Sequence, residues 1–590
     1  MQGLLLDASG GNHHFLFVSF EAATLVDPAC SPTIHYRIIP TSPARTRIMA
    51  TYCIGIDTGG TYTDAVLLDI ASGRVVDWRK ERTTPHDLSL GVGQTLQGLL
   101  KQSDQVREVA CLAVSTTLAT NAVVEGRGAR VGLFVLGHVR HFKLPVVANI
   151  FLKGGHTITG EEEQPLDIEG LVDTLPKLVR EVDSYAVCGA MSIKNPAHEL
   201  VAREAIRLID PKPVFCSHLV SDNPGMLERS ATACLHARLM PLMTDFLASI
   251  QRSMLATGLD CPVTIICGNG RGEALDRIAD QAAITMASGP AATARFGAAS
   301  GFDQALVVDV GGTTTDVCLI KNGEPLLNRE GCIIGEWRTH VEAVDMYTAG
   351  AGGDSHVIVH QDGRITLGST RVQPLAMTPD LPDPRLWLNR ETDTYLVLPV
   401  DGLEPELVQS DPLLHYLALH GPTPPSVLAA QTGTGGVLLE KRLERLMFLQ
   451  QVVLAGLTPT DALHCLGLLD IGQGASSQSG ASVLATQLGL SAEAFCRQIV
   501  AETEAAIETI LLTYLARTVW KDSPSGALLN RRDNDLFSLR FTLKLPIIGI
   551  GAAARSFLPG VARRLSTTVT FPEHCEVGNA VGTALIAMRG

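Results

Sequence analysis

Apolar positions along this chain gather into short runs separated by glycine, proline and acidic residues, a pattern of alternating strands and helices. The sharpest run ends at Asp57: an apolar stretch from Ile54, a Gly59–Gly60 turn, then a second apolar run from Ala65. Strand, tight turn, strand is the predicted reading, with a third strand over 73–80. Short apolar runs at 109–114, 130–136 and 184–189 predict further strands, and 116–126 and 196–209 predict helices, the second with Pro196 at its start. Leu227, Ala231, Leu235, Leu239, Leu242, Phe246 and Ile250 recur at three- or four-residue steps, one buried face of a long helix expected to break or restart at Pro241. Prolines crowd residues 373–425 and periodicity fades, so an irregular insertion is expected at about 370–430. Helices are expected over 437–455 and 491–517. The chain then closes as strand (541–549), helix (553–565), short strand (567–571) and a helix from Val577.

The first hairpin has a second copy. DTGGTYTD from Asp57 and DVGGTTTD from Asp309 stand 252 positions apart and agree at six of eight positions. The second copy is also followed by a strand-like segment, 323–329. A duplicated unit at this distance implies two similar domains, placed at 49–300 and 301–590, rather than a solenoid. Residues 1–48 stand apart as an N-terminal extension. Their short apolar stretch follows Asp7 and two histidines with no basic segment before it, unlike a signal peptide, and Met49 stands just before the first strong strand.

At 590 residues the chain exceeds what one core organises, and a 46% apolar, 5% aromatic composition fits a globular α/β enzyme. The 61 acidic and 47 basic residues leave a formal charge of −14 with no Lys/Arg block, which speaks against nucleic acid or an anionic membrane as a partner. No run of about 18 apolar residues suggests a membrane span. Thirteen cysteines, without a CxxC pair, suit reduced thiols in a cytoplasmic protein.

The duplicated motif has a chemical reading. A strand turning through two glycines lets backbone N–H groups approach an anion, and Thr58 and Thr61 add hydroxyls. Asp57 and Asp309, each at a strand end, suit a hydrated Mg²⁺, an ion that keeps several waters and takes few carboxylates. Gly59, Gly60, Thr61, Gly311, Gly312 and Thr313 are the expected phosphate contacts. One such hairpin alone is more often a plain turn; two near-identical copies reverse that preference. Asp64 and Asp316 either pair within their own hairpins or help hold the metal. Thr116, Thr117 and Asn121 lie at a strand-to-helix junction, where they either bind a substrate oxyanion or cap the helix. The turn at Gly350, Gly352, Gly353 and Asp354 ranks below the hairpins. His198 and His236 are expected to be structural, and no general base is assigned.

These residues carry a resemblance. Paired DxGGT hairpins, with the late strand–turn–helix element at Gly549, Gly551 and Ala552, resemble the actin, sugar-kinase and Hsp70 ATPase superfamily. That likeness implies an α/β fold of two ribonuclease H-like domains around a nucleotide cleft, with the late element against the adenosine. The ordered series GIDTGGTYTD (Gly55), STTLATNAVVEGRGARVGL (Ser115), SIKNPAHE (Ser192), LERSATACLHARLMP (Leu227), SGPAAT (Ser288), DVGGTTTDV and AGAGGDS (Ala349) resembles the A-type hydantoinase/oxoprolinase family, which includes acetone carboxylase beta-subunit-like chains. The match runs through most of 52–360. His236 stands where the family usually has Asn, Asp354 where it usually has Gly, and the segment after Gly368 departs from the family pattern.

The resemblance implies an ATP- and Mg²⁺-using hydrolase subunit that opens a cyclic amide or imide such as a hydantoin or 5-oxoproline, working with a B-type subunit. Asp57 and Asp309 would be its catalytic, metal-holding pair and Thr116, Thr117 and Asn121 its substrate contacts. The alternatives are the ATP-using subunit of a ketone carboxylase and a non-catalytic ATPase that reactivates a partner.

Overall fold

The computed structural model describes residues 51–589 apart from 60–61, 84–87, 101–107, 125–126, 220–222, 330, 332, 335–336, 401, 473 and 521–539. The proposed extension, 1–48, lies outside the described residues. From Thr51 onward the chain forms one unit.

The first motif folds as predicted from its apolar–Gly–apolar pattern. β1 (Tyr52–Thr58) and β2 (Tyr62–Asp69) pair antiparallel, and β3 (Val75–Arg82) continues the meander. After α1 (Leu88–Leu100), β4 (Val109–Thr116) returns parallel to β1 and leads into α2 (Leu118–Val124). The chain then leaves this sheet. β5 (Val131–Leu136), β6 (Ala148–Leu152), β7 (Ser184–Gly189) and β8 (Val214–Cys216) form an all-parallel sheet in the order β6-β5-β7-β8, with α3 (Ile168–Leu178) and α4 (Ala197–Ile209) among its connections. Buried on both faces, β5 and β7 are continuous apolar runs, as parallel strands are.

α5 (Met226–Thr257) is unbroken, contrary to the break expected at Pro241. An internal proline removes one hydrogen bond and costs about 3 kcal/mol. Burial of Leu235, Leu239, Met243, Phe246 and Ile250 on either side holds the axis against that loss. Gly258, at φ +73°, ends the helix in the left-handed conformation. β9 (Val263–Ile266) and β10 (Gly272–Ala274) complete the first sheet in the order β10-β9-β4-β1-β2-β3, and α6 (Leu275–Asp280) and α7 (Ser288–Ala298) lead to the second copy.

There β11 (Gln304–Val310), β12 (Thr315–Lys321) and β13 (Glu324–Pro325) repeat the antiparallel meander. The strands Ile547–Ile550 and Val569–Thr570 add in parallel on the other side of β11. Both sheets thus share one connectivity, an antiparallel meander followed by parallel strands added beside its first strand. This is the ribonuclease H-like arrangement, twice. The C-terminal helix Gly578–Ala587 crosses back to pack on β1, β4 and α7. Its docking explains Gly55: a Cβ there would lie 2.2 Å from the Ala580 carbonyl oxygen.

Two further expectations are corrected. The proline-rich stretch is structured: Pro405, Pro412 and Pro425 open short helices, where a missing N–H removes no bond, and Tyr395–Pro399 is a strand. The helix expected over 437–455 ends at Phe448, the chain turns through Gln450 at φ +53°, and Val452–Gly456 is a buried strand. Among the described residues, no helix is long and apolar enough to cross a membrane.

Candidate functional site

The eight-residue motif sets the geometry of its own carboxylates. In β1–β2, Asp57 is the register partner of Asp64, and in β11–β12, Asp309 is the partner of Asp316. Directly opposed positions face the same side of a hairpin, so each copy presents two acids side by side. The turns match as well: Gly59 N–H donates to the Tyr62 carbonyl at 3.0 Å and Gly311 N–H to the Thr314 carbonyl at 3.0 Å.

Both hairpins open on one cleft of about 650 Å³. Gly59, Tyr62, Asp64 and Lys80 line it from the first copy; Asp309, Gly311, Gly312, Thr313 and Asp316 line it from the second. Gly353 and Asp354 fold over the second turn, Gly353 N–H donating to the Gly311 carbonyl at 3.1 Å. Gly551 and Ala552 form another wall, and Ala553 N–H donates to the Val310 carbonyl at 3.1 Å. Gly551, at φ +92°, is fixed by closeness, since a Cβ there would lie 2.2 Å from Asp309 Oδ1. Gly551→Ala is therefore expected to push Asp309 aside and lower stability by about 1–3 kcal/mol. A denaturation midpoint equal to that of the parent chain would contradict this.

Asp57 sits behind the cleft surface, only 6% exposed. Ser115 Oγ donates to its Oδ1 at 2.6 Å, and Asn579 Nδ2 approaches its Oδ2 at 3.4 Å. Burial pushes the Asp57 carboxyl above the ordinary range, and these donors oppose the shift. Asp309 is pushed up to about 7 by burial and then by the Asp316 and Asp57 charges. Burial also raises Asp64, to about 6, although the Lys80 ammonium lies 2.8–2.9 Å from its oxygens, and it raises Asp316 and Asp354. With Glu576, which also lines the cleft, six acidic groups thus crowd a site lined, among the described residues, by two cations, Lys80 and Arg371. Arg371 lies 3.6 Å from Asp354.

A divalent cation fits this set. Asp316 Oδ1 and Thr58 Oγ1 are buried without a hydrogen-bond partner among the described residues, and ionised acids in opposed pairs require a counter-charge. Asp57, Asp309 and Asp316 are the residues that could hold a divalent cation or its waters.

Other expected residues stand elsewhere. Gly60 and Thr61 lie outside the described residues. Thr58 is buried and its carbonyl accepts from Thr117 N–H. Gly549 does not line the cleft: it is buried in its strand, where a Cβ would meet the Phe571 ring at 2.5 Å, so its smallness serves packing. Thr116 Oγ1 accepts from Leu118 N–H, a local turn bond, and Asn121 Nδ2 donates to Thr117 Oγ1. These three are beside β1 but do not line the cleft. His236 stacks on Phe215 and is driven down to about 3 by burial, and His198 Nδ1 accepts from Gly155 N–H. Among the described residues, Glu199, Cys216 and His218 bring ligand atoms close enough for a metal. Glu199 there already accepts four hydrogen bonds, two at each oxygen, and is satisfied without an ion.

Lys80, Ser115, Asn579 and Arg371 escaped the sequence reading. Lys80 alone left a signal: it is the register partner of Asp64 across β2–β3, which hairpin counting could have found. The other three reach the site from distant segments.

Comparison with known proteins places this geometry. Residues 53–209 match the hydantoinase/oxoprolinase N-terminal region, and residues 229–508 match hydantoinase/oxoprolinase. The chain is 28% identical to caprolactamase subunit alpha of Pseudomonas jessenii, over 54% of this chain and 50% of that protein. It is 29% identical to the acetophenone carboxylase gamma subunit of Aromatoleum aromaticum, over 53% and 49%. The chain therefore spans about half the length of the curated relatives it matches. The crystal structure of ATP-dependent caprolactamase from Pseudomonas jessenii superposes with a TM-score of 0.60 at 20% identity, covering 90% of this chain and 70% of that one. At that identity the likeness concerns the fold.

Proposed function

The chain belongs to the hydantoinase/oxoprolinase family, and from that premise we propose that it is the ATP-dependent subunit of a hydrolase opening a cyclic amide or imide. The observation that carries this reading is the convergence of two DxGGT turns, with Asp309 and Asp316 and the glycine backbone, on one cleft.

Amide resonance makes the ring carbonyl a poor electrophile. ATP answers that difficulty: the carbonyl oxygen bonds to the γ-phosphorus as the bond to the β-phosphate oxygen breaks, releasing ADP. Water then adds to the activated carbon, the nitrogen takes up a proton as the ring C–N bond opens, and a second water hydrolyses the acyl phosphate that is left to carboxylate and phosphate. The sum is amide, ATP and two waters to amino acid, ADP and phosphate. In this reading the chain's own contribution is positioning and charge. Gly59, Gly311 and Gly312 let the phosphates come close to the turn backbone, and Lys80 and Arg371 offset phosphate charge from opposite sides of the cleft. Asp57 and Asp309 hold Mg²⁺, which when bound neutralises the polyphosphate. Thr116, Thr117 and Asn121 remain the proposed substrate contacts at the end of β4. A general base is left to a B-type partner subunit; both curated relatives carry subunit names.

Similarity to a carboxylase subunit at 29% identity favours one second reading, ATP-driven activation for ketone carboxylation. Assaying ADP formation with a cyclic-amide panel, and with ketones plus labelled bicarbonate, separates the two by product. The partner chain should be present. No substrate-dependent ADP in either series would sink both.

The carboxyl cluster gives a pH prediction with a definite sign. Asp309 keeps its proton in the folded chain up to about 7, whereas unfolded it releases it near 3.8. Between these values the folded state binds the extra proton, so its contribution to stability declines as pH rises. Mg²⁺ relieves the charge that remains. Its stabilisation, read as a shift in melting temperature, is expected to be larger at pH 8 than at pH 5; equal shifts would count against metal binding here.

A further inference from the structure

A second pair of cavities lies away from the cleft, at the other end of α7. One of about 600 Å³ and one of about 550 Å³ share Arg295, Asn322 and Arg589. Four basic side chains line the pair (Arg295, Lys321, Arg329 and Arg589) against two acidic ones, Asp303 and Glu324. That excess of positive charge runs against a chain whose formal charge is −14.

Pairing does not consume it. Glu324 is divided between two guanidinium groups, Arg295 Nη1 at 2.9 Å from one oxygen and Arg589 Nη1 at 2.9 Å from the other. One carboxylate balances one of them. Arg329 turns to Glu342 at 3.8 Å, and Lys321 makes no ion pair among the described residues. Arg295 is only 7% exposed, and its Nε has no hydrogen-bond partner among the described residues. Burial holds this guanidinium below the ordinary arginine pKa, with Glu324 opposing the shift. A charge placed so deep with a shared partner is a poor structural choice unless a further anion completes it. Leu326, Leu327, Val344 and Ile586 give the larger cavity an apolar stretch of wall beside Asn269 and Asn322. A few convergent charges on an apolar wall, in a volume of this size, is the make-up of a small-molecule site.

We propose that this pocket binds a small organic anion, a carboxylate or phosphate head between Arg295, Arg589 and Lys321 with an aliphatic body against Leu327 and Ile586. The site is distinct from the nucleotide cleft. α7 begins there, Gly289 lying beside Asp57, and Arg295 stands two turns further along. The inference does not rest on the ATP reading.

The test is calorimetric titration of the full chain, with ADP and Mg²⁺ held in excess so that the cleft is not a competing anion site. Hexanoate, hexyl phosphate and the neutral control hexanol serve as probes. Binding by either anion and not by hexanol is expected, and the tighter anion identifies the head group. The Lys321→Ala/Arg589→Ala double variant should bind at least about tenfold more weakly, since two charged contacts are lost. Both side chains are exposed, so its thermal melt should match that of the parent. An unchanged affinity in the double variant overturns the proposal, as does hexanol binding as well as the anions, or neither anion binding below about 10 mM. If ADP itself gives no binding heat, that failure belongs to the nucleotide reading. The anion titrations without ADP then decide this one alone.

Discussion

Replacing Asp309 with asparagine is expected to lower ATP turnover by about 10²–10³-fold while leaving stability unchanged or slightly raised. The argument separates charge from shape. Asn keeps the outline that Gly551 packs against, so the cleft wall stays in place. The variant loses the negative charge that would hold Mg²⁺ opposite the first copy. In the free chain that same charge is a liability, because Asp309 faces Asp316 across the hairpin and feels Asp57 beyond it. Like charges at opposed positions destabilise a strand pair, so removing one offsets any lost contact. Steady-state ADP formation and a urea midpoint measure the two halves independently. Turnover within about threefold of the parent would remove Asp309 from the chemistry. Turnover lost together with a large fall in stability would recast it as structural.

Glu199→Gln is expected to have the largest effect on stability, about 3–5 kcal/mol, with no residue of the cleft touched. Glu199 is fully buried and accepts from Gly189 N–H (2.7 Å), Ser217 Oγ (2.6 Å), His218 N–H (3.0 Å) and His218 Nδ1 (2.6 Å). Arg229, also fully buried, donates to Ser192 Oγ, Ser217 Oγ and the Gly189 carbonyl. Ser217 and Gly189 therefore join a buried anion to a buried cation, tying the ends of β7 and β8 to α4 and α5. A glutamine turns one acceptor into an NH₂ that faces donors and leaves Arg229 uncompensated. Burial alone would raise the Glu199 pKa, but the His218, Ser217 and Gly189 donors outweigh it and hold the carboxyl below its ordinary value. The sign is opposite to that of Asp309. Stability from Glu199 is fully present above the unfolded pKa, near 4.3, and is lost as pH falls through the folded value. The Gln variant should lack this acid-side loss. A midpoint within about 0.5 kcal/mol of the parent would show the network to be dispensable.

Much of the fold was legible before any coordinates. The Asp–x–Gly–Gly–Thr–x–Thr–Asp spacing places a turn and, by hairpin register, sets its two acids opposite each other. The duplication then announces two sheets of one topology. The errors have local causes. Pro241 signals a break, yet α5, with buried neighbours on both sides, runs unbroken through it. Prolines over 373–425 suggested irregular chain because a proline that opens a helix and one that interrupts it look alike in composition. Gly549 and Gly551 lie two residues apart, but only the positive φ of Gly551 and its closeness to Asp309 distinguish a cleft glycine from a packing one.

The sequence by itself determined the elements of the duplicated hairpins, the repeat, the family and the pairing of acids within each hairpin, because those depend on periodicity and on residues a few positions apart. Tertiary structure alone decided that Ser115 and Asn579 hold Asp57. It also decided that Arg295 and Arg589 share one carboxylate far from the cleft. Each of these depends on segments far apart in the sequence that meet only in the folded chain, Ser115 where β4 pairs with β1 and Asn579 where the C-terminal helix docks on the first sheet, and no local pattern encodes which distant side chain will fill a given space.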